Sequence, residues 1–224
     1  MTVNVTIVSP MRDFGAHVDD YRERVQALGQ PLSALRFVIV EGDSVDDTWD
    51  RLQEWKASDW RVTLVKHNTG QPRYPSIIDG ARFRALAAVF NAGLEAVRLD
   101  WSASVLFLPC DVTFEADMLN RLLAHDKDLI APFFWGPGGG YFYDTWGFMW
   151  RGAHFKNFPR SQMAGRSEQP LQMDTIGGAI LMRADVLRAG CRYTPEEVDH
   201  GLCKAAQALG FSVWADPTTH IEHL

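Results

Sequence analysis

Apolar runs alternate with amphipathic stretches along the first half of the chain. "VNVTIVSP" reads as a first strand, ended by Pro10. "AHVDDYRERVQAL" places its apolar residues at helical spacing and stops near Gly29. "LRFVIVEGDS" is a second strand, and its unbroken apolar run predicts burial on both faces. "SVDDTWDRLQEWKA" opens with Ser44 and acids, as a helix N-terminus does. "WRVTLVKHN" is a third strand, "ARFRALAAVFNAGLEAVRL" an amphipathic helix rich in Ala and Leu, and "ASVLFLPCD" a fourth strand. The order βαβαβαβ predicts a parallel sheet flanked by helices. The ligand crevice of such a sheet lies at the carboxyl ends of its strands. Pro10, Glu41 and Asp111 fall at three of those ends.

The second half has a different texture. "DLIAPFFW" predicts a short strand. A long Gly-rich, aromatic stretch follows, "GPGGGYFYDTWGFMWRGAHFKNFPRSQMAGRSEQP". Loops of that length in a compact domain usually carry function, and so many aromatics argue against disorder. "MDTIGGAILMRADVLRAG" predicts a strand entering a short helix. "TPEEVDHGLCKAAQALG" predicts a helix with acids in its first turn and Gly210 at its end. "FSVWADP" is a last strand and "TTHIEHL" a tail. No repeat or linker divides the 224 residues, so one domain is expected.

Composition narrows the classes. Hydrophobic residues make up 46% and charged residues 22%, enough apolar material for a full core. A net charge of -6 argues against general affinity for a phosphate backbone, although it leaves room for a local basic groove. Cys110, Cys191 and Cys203 are an odd count without metal-type spacing, which suits a reducing compartment. No apolar run is long enough to span a bilayer, and "MTVNVTIVSP" lacks the features of a signal peptide. The expectation is a cytoplasmic protein.

Candidate chemistry concentrates at the strand ends. Glu41 sits where the second strand leaves the sheet, and a carboxylate there can accept hydrogen bonds from a base or a ribose. Asp46 and Asp47 read as acids of a helix first turn. Asp111 offers the hard oxygen that a divalent cation on a diphosphate prefers, while Cys110 is a soft partner for such an ion. Asp111 as the cap of the following helix is the plain alternative. His220 and His223 lie close together in the tail, and either could bind metal. Glu196, Glu197 and Asp199 cluster in "EEVDHGL", where a carboxylate could act as a general base or simply start a helix. Tyr141, Tyr143, Trp146 and Trp150 offer flat faces for sugars or bases, with core packing as the alternative. Arg82, Arg84, Arg151 and Arg160 could clamp phosphates. Arg12, Asp43, Asn91, Asp144 and Gly178 complete the substrate-binding candidates.

The order of these segments resembles a nucleotide-sugar-dependent glycosyltransferase of the A-type fold (GT-A), in the broad family-2-like group. "VSPMRDF" resembles that group's first strand and Pro turn. "VEGDSVDDT" resembles its "DDGSTDGT" segment, with Glu41 at the first acid. "LAAVFNAGLEA" is similar to its "ARNxGL" helix through Asn91 and Gly93. "VLFLPCDVTFEADML" resembles its "LDxDxxxxPxxL" segment, matching Asp111 but carrying Pro109 where the first acid would stand. "EEVDHGLCKAAQALGFSVWADPTTHIEH" resembles its "EDxDLxxRxxxxGxxVxxxPxxxxxH" ending. "YDTW" is similar to a segment of fungal capsule and cell-wall mannosyltransferases.

The resemblance implies a GT-A domain over 1–224, with a nucleotide-binding half at 1–115 and an acceptor-binding half at 116–224. It implies Pro10 and Glu41 in the nucleoside pocket, helped by Arg84. Asp111 and His223 would hold Mn²⁺ or Mg²⁺ on the diphosphate, and Glu197 would be the base. The implied partners are a nucleoside-diphosphate sugar and a glycan, lipid-linked or small-molecule acceptor. A hydroxymethylated DNA base, as in some viral enzymes, is a less favoured acceptor. A nucleotide-sugar-binding protein without turnover and a nucleotidyltransferase are the alternatives. The first draws on Pro109; the second lacks a good Gly-rich basic loop in "SPMRDFGAH".

Overall fold

A computed structural model describes residues 3–29, 31–75, 78–156 and 169–224. Among the described residues, six strands and four helices come first along the chain. β1 (Val5–Met11), β2 (Leu35–Glu41), β3 (Val62–Lys66) and β4 (Ser104–Phe107) alternate with α1 (Val18–Gln26), α2 (Thr48–Ser58) and α3 (Gly80–Glu95). β5 (Val112–Phe114), α4 (Met118–Ala124) and β6 (Leu129–Trp135) follow. The chain then makes one short two-stranded ribbon, β7 (Met149–Trp150) with β8 (Ala153–His154), and places β9 (Leu171–Gln172) on the main sheet. β10 (Ile180–Arg183), α5 (Ala184–Arg188), α6 (Asp199–Ala208) and β11 (Val213–His223) complete it.

The main sheet runs β3-β2-β1-β4-β10-β6-β11-β5, with β9 paired to β11. Its first four strands are parallel, as alternation with helices requires. β10 then runs antiparallel between β4 and β6, β11 returns parallel to β6, and β5 and β9 pair antiparallel with β11. The sheet is therefore mixed, with its parallel part at one side. It is continuous from the first half of the chain into the second.

Alternation along the strands explains why the sheet is covered on both faces. Ile7, Phe37 and Ile39 pack with Tyr21, Trp55 and Leu122 of α1, α2 and α4. Their neighbours Val8 and Val38 point the other way, with Phe83 and Ala87 of α3 and Leu202 and Ala206 of α6. α3 approaches the sheet closely at Gly93. A Cβ there would lie 2.6 Å from Val8 Cγ1 and 2.7 Å from Val40 Cγ2. The small residue is what lets the helix lie on β1 and β2.

β11 runs on through Pro217, where a strand end and a tail were expected. Its register with β6 shifts between Asp216 and His220. The buried Asp216 carboxylate organises this bulge. It accepts from Thr218 N (2.8 Å), Thr218 Oγ1 (2.7 Å) and Thr219 Oγ1 (2.5 Å), and lies 3.1 Å from His125 Nε2. Burial pushes its pKa up, but these donors outweigh burial and hold it below the usual carboxylate range. Proline fits because the bulge interrupts the ladder where its missing N–H would matter.

Candidate active site

The carboxyl ends of β1, β2 and β4 open into a cleft of about 1030 Å³. Pro10, Met11 and Arg12 line it from the end of β1, and Gly42 and Asp43 from the end of β2. Pro109, Cys110 and Asp111 line it after β4. Tyr143, Asp144 and Trp146 come from the aromatic loop, Gly178 from the turn before β10, Asp199 from the start of α6 and His223 from the end of β11.

Two sequence signals thus meet, although they lie far apart in the chain. His223 is paired with Val112 in the β11–β5 ladder, which brings it beside Asp111. His223 Nε2 lies 3.5 Å from Asp111 Oδ2. The main-chain N–H of Leu224 donates to the Asp111 carbonyl (3.0 Å), tying the two segments together. His223 Nδ1 donates to the main-chain oxygen of Leu224 (2.9 Å). That bond turns the Nε2 lone pair of the neutral ring toward the carboxylate. Two electron-rich atoms so placed are satisfied by a cation between them or by a proton on Nε2. Tyr143 and Phe134 flank the ring, with centroids 4.7 Å and 6.2 Å away. Asp111 is exposed and does not cap α4, whose N-cap is Asp117.

His220 lies elsewhere. Its Nδ1 accepts from Trp135 Nε1 (3.0 Å), and it does not line the cleft. An odd separation along a strand puts His220 and His223 on opposite faces. Among the described residues there is no cluster of three or more His, Cys, Asp or Glu side chains that could hold a metal ion. The Asp111–His223 pair still fits Mn²⁺ or Mg²⁺ as an open site, with hard oxygen, one imidazole nitrogen and room for diphosphate oxygens. Cys110 is not a third ligand. Its thiol is buried, a soft partner for such an ion, and forms no three-ligand cluster with Asp111 and His223.

The "EEVD" cluster is sorted by one backbone kink. α6 starts at Asp199, five residues later than its acidic segment suggests. Val198 has φ 45° and ψ −108°, a left-handed conformation that a β-branched residue resists at a cost of about 1–3 kcal/mol. The turn is held by Val198 N donating to Thr194 O (2.8 Å). Beyond it, Glu197 turns outward and takes Lys204 Nζ on both oxygens (2.6 and 2.7 Å). Glu196 is exposed, and neither glutamate lines the cleft. Asp199 does line it. Glu197 is thus an ion-paired side chain outside the cleft lining, and Asp199 is the acid of this cluster that lines the cleft. Desolvation first, then the Asp144 carboxylate, raise the Asp199 pKa well above the usual range, against the pull of Arg82.

Asp144 is fixed from three sides. Its Oδ1 accepts from Gly147 N (2.8 Å), and a Cβ on either Gly147 or Gly177 would strike its carboxylate. Burial pushes it up to about 6 in spite of that bond, Arg82 and His154. Trp146 stacks on His200 with centroids 4.0 Å apart, and its carbonyl accepts from His200 Nε2 (2.7 Å) and His154 Nδ1 (2.9 Å). Gly178, at φ 68°, leaves space that a Cβ would lose to Phe134.

Three other substrate-binding candidates, Glu41, Arg84 and Asn91, do not line the cleft. Glu41 is fully buried, paired with Lys66, and accepts from Ser44 N (3.1 Å). It faces β3 and the following turn, and does not line the cleft. Asp43, two residues on, does. At φ 60° it accepts from Thr69 N (2.8 Å), Thr69 Oγ1 (2.6 Å) and Gly70 N (3.1 Å). The Thr69 hydroxyl is the largest cause of its lowered pKa. Arg84 is exposed on α3 outside the cleft, while Arg82 lines it. Asn91 binds the main chain of Tyr193 twice, donating to its carbonyl (2.9 Å) and accepting from its N–H (3.0 Å). It fastens α3 to the segment before α6. Asn91→Ala is expected to cost about 2 kcal/mol, at about 1 kcal/mol per hydrogen bond, read as a lower urea midpoint.

Tyr141 and Trp150 are exposed outside the cleft lining, Trp150 under Arg151, whose guanidinium carbon lies 4.4 Å from its ring centroid. Arg160 lies outside the described residues. Sequence reasoning missed the loop after β3. Thr69, Gln71, Arg73 and Tyr74 line the cleft, and Arg12 donates to Gln71 O (2.9 Å). The signal was available, since "NTGQPRYP" follows a parallel strand at its carboxyl end.

Residues 22–190, well over half of the chain, match the model of the glycosyl transferase family 2, and the chain belongs to that family. Asp199 and His223 lie beyond the matched segment. Among solved structures, mannosyltransferase PcManGT from Pyrobaculum calidifontis in complex with GDP-Man and Mn²⁺ is similar at 12% identity and TM-score 0.63, covering 100% of this chain and 57% of that one. S. aureus TarS 1-349 in complex with UDP-GlcNAc is similar at 12% identity and TM-score 0.63, covering 100% and 59%. GalNAc-T7 with UDP, GalNAc and Mn²⁺ is similar at 13% identity and TM-score 0.63, covering 99% and 43%. These likenesses show the GT-A fold. This chain spans less than two thirds of each of those chains. No curated protein sequence matches it. No helix among the described residues is long and apolar enough to cross a membrane.

Proposed function

We propose that this chain moves a sugar from a nucleoside-diphosphate sugar to an acceptor hydroxyl. The observation that carries the reading is that one cleft holds both Asp111–His223 and Asp199, at the crevice where a parallel sheet binds nucleotides. Pro10, Arg12, Asp43 and the loop after β3 shape the end that takes the nucleoside. Asp111 and His223 would hold Mn²⁺ or Mg²⁺ at the diphosphate end of the cleft. The ion, when bound, supplies Lewis-acid stabilisation of the departing nucleotide. Asp199 accepts the proton of the acceptor hydroxyl as its oxygen attacks the anomeric carbon, an inverting displacement. Trp146 and Tyr143 give flat walls against which sugar rings pack.

Support for the donor comes from the family and from fold neighbours that bind GDP-Man or UDP-GlcNAc. Pro109 in place of a first acid favours a second reading, a donor-binding protein without turnover. Calorimetric titration with UDP and with GDP, each with and without Mn²⁺, tests the site. Metal-dependent binding of one nucleotide is expected. Absence of binding by both would overturn the reading. Turnover of the matching sugar donors, GDP-mannose included because of the "YDTW" likeness, then separates enzyme from binder.

A further inference from the structure

Residues 143–146 run from the Asp111–His223 pair to the start of α6, and ring contacts fix them at both ends. The Tyr143 ring packs on His223, with centroids 4.7 Å apart. The Trp146 ring stacks on His200, with centroids 4.0 Å apart and planes 4° from parallel. His200 directly follows Asp199 in the chain. Asp144 therefore stands between the His223 ring and the turn of α6 that carries Asp199. A second segment passes the same place. A Cβ on Gly177 would lie 2.3 Å from Asp144 Oδ2, and one on Gly178 would lie 2.6 Å from Phe134 Cδ1. Phe134 in turn stacks on His223, with centroids 6.2 Å apart and planes at 18°.

The two oxygens of Asp144 have different duties. Oδ1 accepts from Gly147 N (2.8 Å) and closes the turn. Oδ2 accepts from no group among the described residues, yet it is not sealed off from the cleft that Asp144 lines. Bare alpha-carbons flank it, because a Cβ on Gly147 would lie 2.4 Å from Oδ2, as close as one on Gly177. An ionised carboxylate oxygen only accepts, and leaving it without donors in a partly desolvated place is unfavourable. We infer that Asp144 determines specificity for the transferred sugar, its Oδ2 accepting a hydroxyl of a hexose held between the diphosphate and the base. The inference rests on the proposed sugar transfer. In such a donor the sugar hangs from the terminal phosphate, and its anomeric carbon must face the acceptor oxygen. It therefore fills the space between the Asp111–His223 pair and Asp199, where the contacts of Tyr143 and Trp146 put Asp144. A sugar lacking the facing hydroxyl leaves Oδ2 unpaired and is rejected for that reason.

The test is calorimetry of the full chain with Mn²⁺. The parent donor is the tightest binder among UDP-glucose, UDP-galactose, UDP-N-acetylglucosamine and GDP-mannose, and it is compared with analogues each lacking one sugar hydroxyl. One analogue is expected to bind about 10–100-fold more weakly than the parent, the range of a hydrogen bond to a charged group. Asp144→Ser keeps a short side-chain acceptor for Gly147 N but has nothing at the place of Oδ2. This variant is expected to lose a similar factor for the parent donor and nothing further for that analogue. Its affinity for the free nucleotide is expected to stay as it was. A merely displaced loop would weaken all the sugars alike and leave their order unchanged. The inference is overturned if no single hydroxyl stands out, if Asp144→Ser still discriminates against the same analogue, or if the free nucleotide weakens along with the donor. Failure of both UDP and GDP to bind is a different result, which removes the sugar-transfer reading and this inference with it.

Discussion

Asp199→Asn is expected to lower turnover by about 10²–10⁴-fold, the usual contribution of a positioned general base, and to leave nucleotide affinity unchanged. Glu197→Gln is expected to retain most activity. The contrast follows from where the Val198 kink sends the two side chains. Glu197 ends on Lys204, outside the cleft, with 42% of its side chain exposed. Asp199 ends in the cleft wall, partly desolvated and beside Asp144 and Arg82. The substitution is nearly isosteric, so lost turnover with intact nucleotide binding reports the proton transfer and not the fold. Steady-state rates on the donor selected by calorimetry decide the matter. An inactive Glu197→Gln beside an active Asp199→Asn would return the base to the position that motif matching gives it.

Asp111→Ala is expected to abolish the Mn²⁺-dependent part of nucleotide binding. Losing even an outer partner costs a metal site about 10–100-fold, and here one of the two proposed protein ligands goes. His223→Ala should act in the same direction, because its Nε2 faces Asp111 at 3.5 Å. His220→Gln should not, since that ring sits against Trp135. Calorimetry of each variant with and without Mn²⁺ measures the difference. Binding that persists in Asp111→Ala with its metal dependence intact would move the ion elsewhere in the cleft.

The parallel part of the fold was legible because local signals are strong there. β1, β2 and β3 and helices α1, α2 and α3 each have a periodic run bounded by Pro, Gly or a capping acid, and the structure keeps them within a few residues. β5 was not legible. Three residues carry no period, and it is a strand only because β11 lies beside it. β11 itself was cut short in the reading because Pro217 looked like an end. The bulge that accommodates it depends on Asp216, whose partners include His125, far away in the chain.

The site shows the same division. Strand ends pointed to Asp111 and Pro10, and both line the cleft, because the crevice of a parallel sheet is a property of topology. Glu41 looked equally placed, but Lys66 on the neighbouring strand claims its carboxylate, and no local pattern announces that pairing. Asn91 matched a motif letter for letter, yet its amide is spent on the Tyr193 main chain. Asp144 and Arg82 have no shared spacing at all. They line one cleft because the aromatic loop packs on α3, where Trp146 lies against Phe83.

The turn at Val198 has a consequence for comparison between relatives. Thr194 to Asp199 can keep every letter while the dihedral at Val198 relaxes, and the acid presented to the cleft would then change. With Asp199 as the base, as proposed, a relative could lose Glu197 without loss of chemistry. Alignment by residue type therefore cannot number the base in this segment. What must be inherited is a backbone angle, and the tolerated residues at Val198 are a better guide to it than the acids on either side.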